Sequence, residues 1–83
     1  MRRITIIDEN GIHARPASEI IVAASKYDGN VFIIKSGKKM IVKDVLALMD
    51  LALFKGDTIE IIADGKDSDK IESEIENIIL NSG

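Results

Sequence analysis

The sequence contains no cysteine and no tryptophan, and it has a single histidine, His13, and a single proline, Pro16. The lack of cysteine excludes disulfides and thiolate metal sites and gives no sign of an oxidising compartment. No apolar run approaches the roughly 20 residues that a transmembrane helix needs. The isoleucine-rich run after Arg2 and Arg3 ends at Asp8, which is too soon for a signal peptide. We therefore expect a cytoplasmic protein without a membrane segment.

The sequence also has few aromatic side chains and no large excess of charge of one sign. The aromatic residues are Tyr27, Phe32 and Phe54, and the net charge is −3 with both signs interspersed. Nucleic-acid surfaces combine a basic stripe with stacking rings, so we expect no nucleic-acid partner. The 83 residues are 46% apolar and 30% charged, which is the balance of a small globular protein. We expect a single domain, 1–83, and a monomer.

Apolar periodicity predicts four strands and three helices. Isoleucine and valine alternate with other residues in the strand segments, whereas apolar residues recur at i, i+3, i+4 and i+7 in the helical segments. The predicted order is strand 3–7, helix 14–27, strands 31–35 and 39–43, helix 44–51, strand 58–63, and a last helix with Ile71, Ile75, Ile78 and Ile79 on one face.

Acidic residues help to place the two later helices. Asp44 and Asp67 are predicted N-caps, while Glu72, Glu74 and Glu76 are expected to face water. The order β-α-β-β-α-β-α, with a hairpin in the middle, predicts the α+β class. We expect an open-faced β-sandwich: a four-stranded, mainly antiparallel sheet with three helices on one face.

The residues with the clearest chemistry surround His13, at the predicted start of the first helix. Helix N-termini expose unpaired amide N–H groups and a partial positive charge, and both attract anions. Pro16 is compatible with a first helical turn, and Arg15 supplies a guanidinium fork that suits phosphate oxygens. A neutral imidazole is a nucleophile. These residues predict a phosphate-binding helix start with a candidate nucleophile.

The same residues also fit a plainer interpretation. A single histidine is more often a surface or capping residue than a catalytic one, and an Arg-Pro pair in a first turn can serve capping alone. The sequence shows no second acid, base or cluster of metal ligands that would complete a hydrolase or a metalloenzyme. Residue chemistry by itself leaves both interpretations open.

Residues 11–17, Gly-Ile-His-Ala-Arg-Pro-Ala, resemble the active-site signature of the HPr family. These proteins are the histidine-containing phosphocarriers of the phosphoenolpyruvate-dependent sugar phosphotransferase system. The similarity covers essentially the whole chain and includes residues 24–27, 37–38, 42–43, 55–56 and 63–65. The predicted element order also matches the family's fold. A seven-residue motif at a strand-to-helix junction is a specific signal, unlike a shorter pattern.

The resemblance implies a phosphoryl carrier. Enzyme I, charged by phosphoenolpyruvate, would phosphorylate Nδ1 of His13, and the carrier would pass the group to an enzyme IIA component of a sugar transporter. Arg15 would be the electrostatic partner of His13. Backbone groups of the first turn would hold the phosphoryl oxygens, at Ala14, Arg15, Pro16 and Ala17. The resemblance implies an intermediate in phosphotransfer rather than a free-standing catalyst, with no metal and no organic cofactor.

The second helix resembles the partner-binding region of the family. It has more apolar residues than one buried face requires. We expect Leu48 and Leu51 to pack in the core. Val45, Leu46 and Met49 should then form a docking surface for Enzyme I and enzyme IIA proteins.

Asp44 stands where the Gram-positive branch of the family has a regulatory serine. Asp44 has no hydroxyl group, so a serine kinase cannot phosphorylate it, and control through a transcriptional regulator is in doubt. Asp44 is therefore a regulatory position with a fixed negative charge. Two functions stay open: a working phosphocarrier, for sugar uptake or for a parallel phosphorelay branch, and a non-transferring regulatory protein that binds a transcription factor or an enzyme through the second helix. A generic small α+β interaction module is a third alternative. The presence of both His13 and Arg15 favours the carrier.

Overall fold

Four strands and three helices make up the computed structural model, which describes residues 1–81. In chain order they are β1 (Arg2–Thr5), α1 (Ala14–Ser25), β2 (Val31–Lys35), β3 (Lys38–Ile41), α2 (Val45–Asp50), β4 (Thr58–Ala63) and α3 (Ser68–Leu80). The predicted α+β class and the order β-α-β-β-α-β-α are confirmed. None of the helices within residues 1–81 is long and apolar enough to cross a bilayer.

The strands form one sheet in the order β1-β4-β2-β3, and each neighbouring pair is antiparallel. Ile4 lies opposite Ile59, and Ile33 lies opposite both Ile61 and Met40. Because side chains alternate along a strand, this register brings these five apolar side chains to the same face of the sheet. The helices cover that face and leave the other one open.

The core lies between the covered sheet face and the helices. Its fully buried members are mostly isoleucines: Ile6, Ile20, Ile33, Leu48, Ile59, Ile61, Ile75 and Ile79. Leu48 and Leu51 are both buried, as expected for the inner side of α2. Burial of a side chain of this size contributes about 1.5–3 kcal/mol to the stability of the fold. The isoleucines can therefore build the core with few aromatic residues.

Two expectations for α3 were wrong. Glu72 was expected to face water but is 1% exposed. Its Oε2 accepts a hydrogen bond from the Ala63 amide at 2.9 Å, and its Oε1 lies 2.9 Å from the α-amino nitrogen of Met1. Asp67 occupies the N-cap position of α3 in the left-handed region (φ +62°), but its side chain forms no capping hydrogen bond. Helical periodicity could not show that α3 lies over the end of β4, where Glu72 meets a backbone amide.

Candidate functional site

His13 is the N-cap residue of α1, at the end of the loop that follows β1. Its backbone is extended (φ −109°, ψ −175°), and its side chain forms no capping hydrogen bond. The first helical bond runs from the Ala17 amide to the His13 carbonyl at 3.0 Å. The residue is half-buried. The imidazole is therefore accessible at the helix start without being used to cap it.

The loop before His13 packs against segment 52–57, which follows α2. The Ile12 amide donates to the Leu53 carbonyl at 3.0 Å, and both side chains are buried. Gly11 has φ +62°, and a β-carbon at this position would lie 2.2 Å from the Leu53 carbonyl oxygen. Only glycine allows so close an approach in this conformation. The two residues before His13 are thus anchored to segment 52–57.

The four residues predicted to hold phosphate differ in what their backbones offer. Pro16 has no N–H, and the Ala17 amide already donates to the His13 carbonyl. The amides of Ala14 and Arg15 occupy the first two positions of α1, where a helix provides no acceptor of its own. The partial positive charge of the helix N-terminus is strongest there. An anionic group on His13 would therefore meet these two amides.

The Arg15 side chain lies along α1 toward Glu19. Nη1 of Arg15 is 3.7 Å from Oε1 of Glu19, and both side chains are exposed. The sequence analysis did not predict this pair, although the spacing i, i+4 is its signature. Exposed pairs of this kind contribute only about 0.3–0.5 kcal/mol. A phosphoryl dianion on His13 could therefore compete for the guanidinium.

Three apolar side chains of α2 and the segment after it face solvent. Leu46 is 73% exposed, Met49 39% and Phe54 62%. We call these three residues the docking patch. Val45, which was also predicted for this surface, is half-buried and packs against the core. Leu53 is buried, so the apolar content of this region divides between the core and the docking patch.

Asp44 caps α2 as predicted. Its Oδ1 accepts a hydrogen bond from the Leu46 amide at 3.0 Å, and its carbonyl accepts one from the Leu48 amide at 3.0 Å. Asp44 is exposed. Its negative charge therefore lies at the start of the helix that carries Leu46 and Met49.

Lys35 and Asp57 hold segment 52–57, and neither residue was predicted from the sequence. Lys35 Nζ lies 3.0 Å from Asp57 Oδ2, donates to the Ala52 carbonyl, and lies 5.6 Å from the centre of the Phe54 ring. Asp57 Oδ2 also accepts a hydrogen bond from the Phe54 amide at 2.8 Å. The Phe54 amide, and after it Lys35, lowers the pKa of Asp57 below its ordinary value. The only sequence signal was a lysine at the end of an apolar strand.

These observations define the chemistry available at the start of α1. The site combines an accessible imidazole, two helix-start amides and a guanidinium, which are a nucleophile and donors for an anion. Within residues 1–81, no group of three or more histidine, aspartate or glutamate side chains is arranged to hold a metal ion.

Comparison with known proteins identifies relatives over nearly the whole chain. A family model described as the PTS HPr component phosphorylation site matches residues 1–81. The histidine-containing phosphocarrier protein of a Mycoplasma has a TM-score of 0.88 and 34% sequence identity, over 98% of this chain and 92% of that one. The phosphocarrier protein HPr of Bacillus anthracis has a TM-score of 0.84 and 28% identity, over 94% and 93% of the two chains. The catabolite-repression protein Crh of Bacillus subtilis, solved as a domain-swapped dimer, has a TM-score of 0.74 and 28% identity, over 96% and 92%.

Proposed function

Because the chain belongs to the HPr family of the phosphotransferase system, we propose that it accepts a phosphoryl group from phospho-Enzyme I on His13. It then passes this group to an enzyme IIA component of a sugar transporter. The observation that carries the proposal is the position of His13: an imidazole that caps nothing, at the start of a helix whose first amides point toward an incoming anion. The proposal places the protein in the cytoplasm, as a single-domain monomer that needs no metal or organic cofactor.

The chemistry is two successive phosphoryl transfers. In the first, the lone pair of His13 Nδ1 attacks the phosphorus atom, and the bond between phosphorus and Enzyme I breaks as the new P–N bond forms. In the second, a nucleophile of enzyme IIA attacks the same phosphorus from the opposite side, and the P–N electron pair returns to the ring. Phosphoryl transfer depends mainly on alignment and on stabilising the negative charge of the three transferred oxygens.

Backbone and side-chain donors of α1 would stabilise that charge. The amides of Ala14 and Arg15 are fixed by the helix, so they need no rearrangement during the transfer. The Arg15 guanidinium must exchange Glu19 for the phosphoryl group, which costs little because the Arg15–Glu19 pair is exposed. In this proposal Arg15 stabilises the transferred group and does not act as an acid or a base.

The docking patch would orient the partner proteins. Leu46, Met49 and Phe54 are large and exposed, and α2 packs against α1, the helix that begins after His13. Exposed apolar side chains near a reactive residue are typical of a protein-binding surface. Met49 can adapt its shape to different partners. This suits a carrier that must bind a donor and an acceptor in turn.

A second function is supported by Asp44 and by the similarity to Crh. Asp44 offers a permanent charge where a regulatory HPr would carry phosphoserine, and Crh is named for catabolite repression. In this alternative the chain transfers no phosphate and binds a regulator or an enzyme through α2. The two functions differ in whether His13 becomes phosphorylated.

Incubation with Enzyme I and labelled phosphoenolpyruvate tests the proposal. The parent protein should be labelled, and the label should be acid-labile and alkali-stable, as expected for a phosphoramidate. His13→Gln should abolish the label and leave the circular dichroism spectrum and the unfolding midpoint unchanged, because His13 makes no capping bond. An unlabelled parent protein would favour the regulatory alternative, and full labelling of His13→Gln would refute the assignment of the site.

A further inference from the structure

We propose that Lys35 and Asp57 are positioning residues that hold segment 52–57 in the conformation that presents Phe54 to Enzyme I, next to the loop that leads to His13. This inference rests on the proposed carrier function and assigns the residues that order its docking surface. Neither residue belongs to the signature around His13 or to α2.

Lys35 and Asp57 converge on segment 52–57. Lys35 is the last residue of β2, and its side chain reaches Asp57, the Ala52 carbonyl and the Phe54 ring. The Asp57 carboxylate in turn accepts a hydrogen bond from the Phe54 amide. The Asp57 amide donates a hydrogen bond to the Phe54 carbonyl at 3.0 Å. The lysine thus contacts the segment at its beginning, middle and end.

Segment 52–57 begins with a residue in an unfavourable backbone conformation and so needs such support. Ala52 has φ +57°, a left-handed conformation that residues with a β-carbon adopt only at a cost. The Ala52 carbonyl accepts the hydrogen bond from Lys35 Nζ. The charged donor therefore stabilises the residue at which the chain turns out of α2. The side chains of Lys35 and Asp57 are both more than half-buried, and their ion pair joins the end of β2 to the end of the segment.

Segment 52–57 also contacts the loop that leads to His13. The Leu53 carbonyl accepts from the Ile12 amide, and Gly11 packs against Leu53 and Phe54. Phe54 itself is exposed. Segment 52–57 therefore both anchors the loop before His13 and presents the aromatic side chain of Phe54 to solvent. A fixed segment keeps the docking side chain and the phosphoacceptor at a constant separation, which reduces the ordering cost of binding.

Lys35→Met tests the proposal because it keeps an unbranched apolar stem of nearly the same length but removes the charged donor. The matched control is Lys39→Met. Lys39 Nζ also lies over an aromatic ring, that of Phe32 at 4.4 Å, but Lys39 pairs with Ile34 in the adjacent strand and lies on the open face of the sheet. The two variants change the same charge on opposite faces.

In a steady-state assay of phosphorylation by Enzyme I, Lys35→Met should raise KM about fivefold to tenfold, the size expected when an interface loses one well-placed side chain. Phe54→Ala should raise KM by a similar factor. The double variant should match Phe54→Ala alone, because Lys35 acts through that ring. Lys39→Met should leave KM within about twofold of the parent, a factor that corresponds to a negligible change in binding free energy.

Phosphorylation of the parent protein separates failure of the carrier function from failure of this inference, and amide chemical shifts of the free proteins report the conformation of segment 52–57. Lys35→Met should move the Ile12 and Phe54 amide resonances, whereas Lys39→Met should not. A parent protein that accepts no phosphate refutes the carrier function, and this inference falls with it whatever the shifts show. In a working carrier, an unchanged KM for Lys35→Met, an equal rise for Lys39→Met, or additive effects in the double variant would refute the positioning role alone.

Discussion

Single residues around His13 differ in whether their polar groups already have partners. The Ala17 amide is part of the helix, whereas the His13 side chain caps nothing. The Arg15 guanidinium has Glu19 as a neighbour, but at 3.7 Å and in an exposed position this contact is weak. The imidazole is thus not committed to the helix, and the contact with Glu19 is too weak to hold the guanidinium in place by itself.

Arg15→Lys tests the contribution of the guanidinium. Lysine keeps the charge but loses the planar fork that binds two oxygens at once. We expect single-turnover transfer from phospho-Enzyme I to slow by the equivalent of about 1–3 kcal/mol, the worth of a charge-assisted hydrogen bond. Glu19→Gln is the control, because it removes the competing carboxylate and should not slow transfer. Parent-like rates for Arg15→Lys would mean that the helix amides suffice.

Ala52 carries a conformational cost that one substitution should relieve. Its φ of +57° is easily adopted by glycine. We expect Ala52→Gly to raise the free energy of unfolding by about 1 kcal/mol, the difference between the relieved backbone strain and the added entropy of the unfolded chain. Ala47→Gly makes the same chemical change inside α2 and should lower stability by about 0.5–1 kcal/mol. Chemical denaturation of both variants measures the difference, and a destabilised Ala52→Gly would contradict the strain argument.

At the scale of elements, α2 combines a structural and a proposed binding role within six residues. Leu48 packs into the core, while Leu46 and Met49 lie on the exposed side. So short a helix is unstable alone. Its geometry depends on the cap at Asp44, on core packing, and on segment 52–57 at its other end.

Asp44→Ala should lower the free energy of unfolding by about 0.5–2 kcal/mol, because the Leu46 amide loses its capping acceptor. Asp44→Ser is the matched control, since serine is also a good N-cap and should keep most of the stability. The same pair of variants, measured by chemical denaturation, separates the cap from the charge. Equal stability of Asp44→Ala and the parent would show that the cap contributes nothing.

Asp44→Ser also tests the regulatory meaning of this position. We expect it to become a substrate for the serine kinase of Gram-positive phosphotransferase systems, whereas the parent protein should not be modified. A permanent carboxylate imitates part of the charge of phosphoserine, which is about −1.5 to −2. The unphosphorylated serine variant should therefore accept phosphate from Enzyme I at least as fast as the parent. Slower transfer would mean that Asp44 assists docking, and kinase labelling of the parent at another serine would refute the regulatory interpretation.

The whole molecule is held together by polar contacts between distant parts of the chain as well as by its core. Arg2 Nη1 lies 2.8 Å from Glu76 Oε1 and joins β1 to α3. The Asp64 carboxylate accepts hydrogen bonds from the backbone amide and from the side-chain nitrogen of Asn30. These bonds join the end of β4 to the start of β2. These bonds from Asn30 lower the pKa of Asp64, the backbone amide most strongly. The carboxylate form is therefore favoured in the folded state.

Asp64→Asn should make the free energy of unfolding less dependent on pH in the acid range. A carboxyl group whose pKa is lower in the folded protein stabilises the fold above its unfolded pKa of about 3.9, and this stabilisation disappears as pH falls through the folded pKa. The parent protein should be more stable than Asp64→Asn from pH 7 down to about pH 4, and the difference should shrink below that. Denaturation midpoints measured between pH 2 and pH 7 test this. A difference independent of pH would show that the charge of Asp64 is not involved.

Local patterns were sufficient for the elements and for the position of His13 and Arg15 at the start of α1, but they left the role of these residues open. Isoleucine alternation and helical spacing located the strands and helices, because both depend on neighbours along the chain. Asp44 was predicted as a cap for the same reason, since it accepts an amide only two residues away. Asp67 shows the limit of such reasoning, because its left-handed backbone is not visible in the residue type.

The sequence by itself determined the order of the elements, the inner side of α2, and the placing of His13 and Arg15 at a helix start. Only the tertiary structure decided that Glu72 is buried, that Gly11 packs on Leu53, and that Lys35 meets Asp57. Each of these contacts joins residues far apart in the chain, and it exists because the sheet order β1-β4-β2-β3 brings particular strand ends and loops together. Periodicity reports which side of an element is apolar, but it carries no information about which polar group of another element will lie against it.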